Sequence, residues 1–220
     1  CSAVIVGSLG VSTNAAGPHS LKHGSTRRWV TALDCVFDDG SAATVRRGEP
    51  APDIPAVTRF MDRAHARILG ADPAGLSHPE VRKDSSGYGL AAYAASGDLI
   101  DLLVGSEGTL AIFTAVELAL IPTAAATATV LLAFRDLERA VEAAVAAREL
   151  GAVACELLDR TFLAIAEAGD HPLPVPADTE AVLLIEVEAP DAAEANRLSR
   201  HLLAEVQRFG LSAAVAASEL

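Results

Sequence analysis

Residues 101–122 read DLLVGSEGTLAIFTAVELALIP. Two apolar, β-leaning runs flank a Gly-Ser-Glu-Gly-Thr turn; the first reads as a short strand or a helix end, the second as a strand that Pro122 closes. Glycines at both ends supply backbone angles that other residues avoid. The charged Glu107 between them admits two readings. The stretch is either the turn of a hairpin or a turn that a cofactor lies against. The residues of the turn alone leave both open.

Beyond Pro122 the pattern becomes regular. TATVLLAF, AVACELLD, AVLLIEVEA and LSAAVAA read as strands. Between them, RDLERAVEAAVAARELG reads as a helix with Asp136 as N-cap and Gly151 as its stop. RTFLAIAEAG reads as a short helix, and PDAAEANRLSRHLLAEVQRFG as a long one with Pro190 near its start. Two β-α-β halves in succession predict a ferredoxin-like α/β portion over residues 127–220. Upstream, WVTALDCVF, a DDG turn and SAATVRRG predict a hairpin. Apolar residues at Ile54, Val57, Phe60, Met61, Ala64 and Ile68 keep a period near 3.6 and predict a helix that Gly70 ends. The expectation is an α+β chain of two domains, 1–122 and 127–220.

Composition narrows the function. The chain has 220 residues, 51% of them hydrophobic, and a formal net charge of −12. A core is therefore available. The chain as a whole lacks the positive field that nucleic acid or an anionic membrane needs. No unbroken apolar run reaches the ~18 residues of a membrane span, and no secretion signal opens the sequence, so a cytoplasmic setting is expected. Three cysteines stand far apart, at Cys1, Cys35 and Cys155, and read as isolated thiols rather than a disulfide frame. The six histidines show no HExxH spacing, and although His19 and His23 stand four apart, no metal ligands are expected. GxSxG, GxxxxGK[ST] and GxGxxG are also absent.

Three stretches are candidates for chemistry. GSLGVSTNAAGPHSLKHGST is rich in glycine and small polar residues, with Asn14, Ser12, Thr13 and Ser20 as neutral partners and Lys22 and His23 as cations. Such backbone either forms a plain loop or cradles an anion. VRKDSSGYGL sets Arg82, Lys83 and Asp84 before a Gly-Tyr-Gly turn. That turn reads equally as a solvated loop or as flexible backbone around a polar ligand. Glu156 and Asp159 in CELLD are three apart, so on a strand they face opposite sides and make a solvated edge rather than a carboxylate pair.

Taken in order, STNAAGPHSLKHGSTRRWVTALDCVFDDG, VRKDSSGYGL and LLVGSEGTLAIFTAVELALIP resemble the FAD-linked oxidases and dehydrogenases of the vanillyl-alcohol-oxidase/PCMH flavin fold. The branch with glycolate oxidase FAD subunits, D-lactate dehydrogenases and D-2-hydroxyglutarate dehydrogenases is the most similar. Its pattern runs T-N-A-x-G, K-Y-G-x-T, R-K-x-x-x-G-Y and G-S-E-G-T-L-G-I-I-T. CELLD resembles the E-x-x-D that opens the family's cap domain. The chain departs from the pattern at Ser8 and Leu9, where a Gly-Gly pair is usual, at His23 for tyrosine and at Ala111 for glycine.

The resemblance implies the second FAD-binding subdomain of a PCMH-type domain, then the first part of a cap. It implies that Ser12, Thr13, Asn14, Ala15, Gly17, Lys22, His23 and Gly24 line the flavin and its diphosphate. Gly105, Ser106, Glu107 and Gly108, with the strand through Ile112, would lie along FAD, and Glu107 would hold the turn's shape. Arg82 and Lys83 would meet the substrate. Oxidation of a small 2-hydroxy acid by hydride transfer to FAD is the implied activity, and no base can be named. An iron–sulfur electron-acceptor subunit or fused domain is common in the branch, and a homodimer stays open. Nothing before Cys1 supplies the family's Gly-rich diphosphate loop, so the chain is expected to be a fragment that holds FAD weakly or not at all. The rival readings are a binding or interaction module that keeps the fold without FAD, and the same fold acting on an aldonolactone or an ether-lipid precursor.

Overall fold

The computed structural model describes residues 2–5, 9–72, 75–76, 87–169 and 175–219. It is an α+β structure that divides into two compact units. One holds Cys1–Gly17 and Ser25–Ile121, the other Pro18–Gly24 and Pro122–Leu220.

In the first unit, strands β1 (Ser2–Ile5), β2 (Val30–Val36), β3 (Ala42–Arg46) and β4 (Ile112–Ala119) form an antiparallel sheet in the order β1-β4-β2-β3. The predicted hairpin is β2–β3, with Leu33 opposite Val45 and Gly40 in the turn at φ +80°. Val30, Leu33, Cys35 and Val116 face the core. The helix expected from Ile54 onward runs Pro55–Leu69, as α3 (Pro55–Phe60), a π-helical turn (Met61–His65) and α4 (Ala66–Leu69). Pro55 opens it, where the missing amide hydrogen costs nothing. Tyr93, in α5 (Leu90–Ser96), is wholly buried, and its hydroxyl lies 2.7 Å from His65 Nδ1.

The stretch before the Gly-Ser-Glu-Gly turn is not a strand. Leu99–Leu103 form α6, which Asp98 caps by accepting the Ile100 amide at 2.9 Å. The turn therefore joins a helix to β4, and the hairpin reading fails. All five residues of α6 are buried. A short run buried on every side has no amphipathic period to tell helix from strand.

In the second unit, β5 (Ala126–Phe134), β6 (Ala154–Asp159), β7 (Ala181–Ala189) and β8 (Ser212–Glu219) form an all-antiparallel sheet in the order β6-β7-β5-β8. Helices α7 (Leu137–Glu149) and α9 (Ala192–Val206) make the crossovers, which is the split β-α-β arrangement of a ferredoxin-like sandwich. An extra helix, α8 (Arg160–Glu167), follows β6. Val130, Leu132, Leu183 and Ile185 alternate onto the core face, against Ala140, Ala143 and Ala147 of α7 and Leu202 and Val206 of α9. Three helices start on aspartates that accept the amide three residues on: Asp136 from Arg139, Asp159 from Phe162 and Asp191 from Glu194. Asp159 is therefore a helix cap, a role its strand-like context concealed.

Leu183 is fully buried in this core, whereas Val141 of α7 is half exposed. Leu183→Ala should lower the unfolding free energy by about 3 kcal/mol, and Val141→Ala by less than about 0.5 kcal/mol. Urea unfolding of the two variants beside the parent measures the difference.

Candidate functional site

Two of the sequence-predicted loops meet in the first unit. Leu9–Ser12 form a single helical turn, α1, after which the chain reverses at Asn14. Asn14 is 2% exposed and left-handed, at φ +49°. Its side-chain oxygen accepts the Arg27 amide at 3.0 Å. Thr26 clamps the next residue, its hydroxyl donating to the Ala15 carbonyl at 2.7 Å. The Gly105–Gly108 turn lies directly against this loop. The Gly105 amide donates to the Val11 carbonyl at 3.2 Å, and the Glu107 amide to the Ser12 carbonyl at 2.9 Å.

The backbone explains the glycines. Gly105, Glu107 and Gly108 have φ of +90°, +53° and +80°. A side chain at Gly105 would meet Asn14 Cβ and Arg27 Nη2, each at 3.2 Å. Glu107 thus occupies a left-handed position that glycine or asparagine fills at lower energy. Its side chain is exposed and its amide does the bonding. Between the glycines, Ser106 is 2% exposed, and its hydroxyl has no hydrogen-bond partner among the described residues. A buried hydroxyl of that kind, in a turn without bulky side chains, suits a polar ligand lying along the backbone.

The Gly-Tyr-Gly stretch reaches the same turn. Tyr88 places its hydroxyl 2.9 Å from Thr109 Oγ1. The space beside Gly89 is full: a Cβ there would come within 2.4 Å of the Asp101 carbonyl and 2.6 Å of Arg27 Nη2. Gly89 is therefore required by packing. Arg82 and Lys83 lie outside the described residues.

Arg27 joins these pieces, and the sequence reading missed it. Its guanidinium donates to the Val104 carbonyl at 2.9 Å, at the start of the turn. Arg47 backs it, donating to the Arg27 carbonyl and to Asp101 Oδ1, both at 2.9 Å. The signal available was an arginine pair in GSTRRW next to a glycine-rich loop. A cavity of about 310 Å³ adjoins the turn, with Thr109 and Leu110 in its wall and Val57, Phe60, Leu102 and Arg63 among the rest of its lining.

The remaining expected residues have their own local surroundings. Gly17 has open space around it. Ile112 opens β4 and is 65% exposed. Lys22, His23 and Gly24 belong to the segment of the second unit, where the Lys22 ammonium pairs with Glu188 and Gly24 ends the helical turn α2 (Ser20–His23). Leu9, at one of the two positions of the usual Gly-Gly pair, is 81% exposed; Ser8 is outside the described residues. Burial pushes the Cys35 thiol up to about 12, helped by the Asp34 charge, and the Cys155 thiol up to about 11. Neither is a nucleophile at neutral pH.

Residues 123–220 match the family profile described as FAD linked oxidases, C-terminal domain. The chain is 29% identical over 185 residues to a D-lactate dehydrogenase of Archaeoglobus fulgidus, covering 84% of this chain and 32% of that protein. It is 27% identical over 183 residues to glycolate oxidase subunit GlcD of Bacillus subtilis, covering 82% of this chain and 30% of that protein. Among solved structures, an alkyldihydroxyacetonephosphate synthase superposes with a TM-score of 0.51 at 16% identity, over 93% of this chain and 33% of that one. That likeness is one of fold. The chain spans about a third of the length of the curated relatives it matches. Among the described residues, no helix is long and apolar enough to cross a membrane.

Three measurements check this geometry. Gly89→Ala should destabilise the first unit by more than about 2 kcal/mol, because the clash is with a carbonyl and a packed guanidinium. Glu107→Gly should be neutral or stabilising by up to about 1 kcal/mol, since it relieves a left-handed residue. The Cys35 and Cys155 peptides should stay unlabelled by iodoacetamide at pH 8 in the folded chain and label on unfolding, read by mass spectrometry.

Proposed function

We propose that this chain is a member of the FAD-linked oxidase family and forms part of an FAD-dependent dehydrogenase of small 2-hydroxy acids. The observation that carries the reading is the junction of the Asn14 loop with the Gly105–Gly108 turn around the unpartnered Ser106 hydroxyl. D-lactate dehydrogenase and glycolate oxidase subunit, the names of the two relatives, supply the substrate class.

When bound, FAD would supply the acceptor for the hydride leaving the hydroxyl-bearing carbon. The chain's own contribution is positioning. Ser106 would offer its hydroxyl to the cofactor, and Gly105 and Gly108 would let backbone approach it closely. Asn14 and Arg27 hold the loop and turn in register, so the wall is formed before ligand arrives. Small side chains at Ala15 and Gly17 would leave room beside it. Arg82 and Lys83 remain the candidates for the substrate carboxylate. A cytoplasmic setting and an electron-accepting partner subunit complete the reading; one relative is itself called a subunit.

The test uses the complete reading frame that encodes this chain. The purified protein should show flavin absorbance, and D-lactate or glycolate should reduce an artificial dye. Gly105→Ala, which puts a methyl group into a position already in contact at 3.2 Å, should lower the flavin content at least about tenfold. A colourless parent protein would overturn the flavin reading. A yellow protein inert to both acids would overturn the substrate class.

A further inference from the structure

We infer that His19, Glu186 and Glu188 form a binding site for a divalent first-row metal ion, of which zinc and manganese are the natural occupants. All three residues belong to the second unit. Glu186 and Glu188 are two apart on β7 and so project from the same face of the sheet. β7 is paired on both sides, by β5 and β6, which makes it a rigid platform for two ligands. His19 stands just before α2 and brings its imidazole to this pair, with Nε2 2.8 Å from Glu186 Oε1. One ligand atom from each residue lies within 4.8 Å of the other two. Ligands about 2.1 Å from a tetrahedral metal are about 3.4 Å apart, so adjustments of side chains alone close the site.

The chemistry of the set is that of a metal site. One imidazole with two carboxylates suits zinc and manganese, and it gives calcium or magnesium fewer oxygens than they take. The carboxylates are partly shielded, Glu186 at 26% and Glu188 at 15% side-chain exposure, so two neighbouring anions need a cation. In the present arrangement the Lys22 ammonium meets Glu188 and the His19 imidazole meets Glu186. A divalent ion neutralises both carboxylates, with the imidazole binding through Nε2 as its Nδ1–H tautomer and Lys22 displaced to solvent. Local spacing does not join this set, because His19 and Glu186 are 167 residues apart. The bound ion would clasp Pro18–Gly24 to the sheet of its own unit.

Isothermal titration of the 220-residue chain, freed of metal by a chelator, with zinc chloride and separately with manganese chloride tests the site. One ion should bind per chain and raise the melting temperature. His19→Ala and Glu186→Gln should each weaken binding by about tenfold or more. Lys22→Met removes the competing ammonium and should tighten binding several-fold, whereas a purely structural ion pair would show only a loss of stability. Cobalt substitution should give visible d–d bands that His19→Ala alters, a readout that needs neither flavin nor substrate. Absence of one-to-one binding by both metals would overturn the site. So would binding indifferent to His19→Ala in a variant whose circular dichroism matches the parent, or binding lost in Lys22→Met.

Discussion

The first unit depends on a half-buried guanidinium. Arg27 donates its side chain to the Val104 carbonyl and its amide to Asn14, so one residue fixes both the end of α6 and the reversal after α1. The positions nearest it have no side chain to lose. Gly89 is filled by the guanidinium itself, and Gly105 is bounded by it. Burying such a charge requires that its donors find acceptors. Here the Val104 carbonyl accepts from the guanidinium, and Arg47 with Asp101 supplies a second half-buried pair behind it. The glycine-rich loops are thus shaped around an arginine. Their freedom from side chains serves packing.

The second unit solves a different problem. Its core is rich in alanine, and Ala140, Ala143 and Ala147 have no exposed surface. Small side chains let α7 sit close to the sheet, so stability comes from dense contact rather than large apolar groups. The other side of the sheet carries Thr129, Leu131, Leu184, Glu186 and Glu188, all of intermediate exposure. A sheet with helices on one face only has a second face free for polar residues. That asymmetry is why acidic residues can sit at the centre of a strand such as β7 without breaking the core.

Much of this was legible in the sequence, and the failures share a cause. Asp136, Gly151 and the alternation in TATVLLAF act through neighbours a few residues away, so their patterns reported α7 and β5 directly. The β2–β3 hairpin was legible for the same reason. The run before the Gly-Ser-Glu-Gly turn was legible only as a short strand or a helix end, because a short run buried on all sides has no period. Asp159 was misread because its capping role depends on the helix after it. Arg27 and Arg47 were missed because their partners, Val104 and Asp101, are more than fifty residues away. The loops later found in contact were each recognisable as loops, but a motif's spacing along the chain does not say which backbone atom will touch which.

The pairing of Pro18–Gly24 with strand β7 has a consequence for biosynthesis. During translation His19 and Lys22 leave the ribosome long before Glu186 and Glu188 exist. For that whole interval the segment's final partners are missing, while its neighbours on either side can already begin to fold. Closing a loop of this length carries a large entropic penalty, repaid only after the receiving sheet has formed. Nascent chains should therefore expose this histidine-bearing stretch until late, making it a natural landing place for a chaperone or a protease.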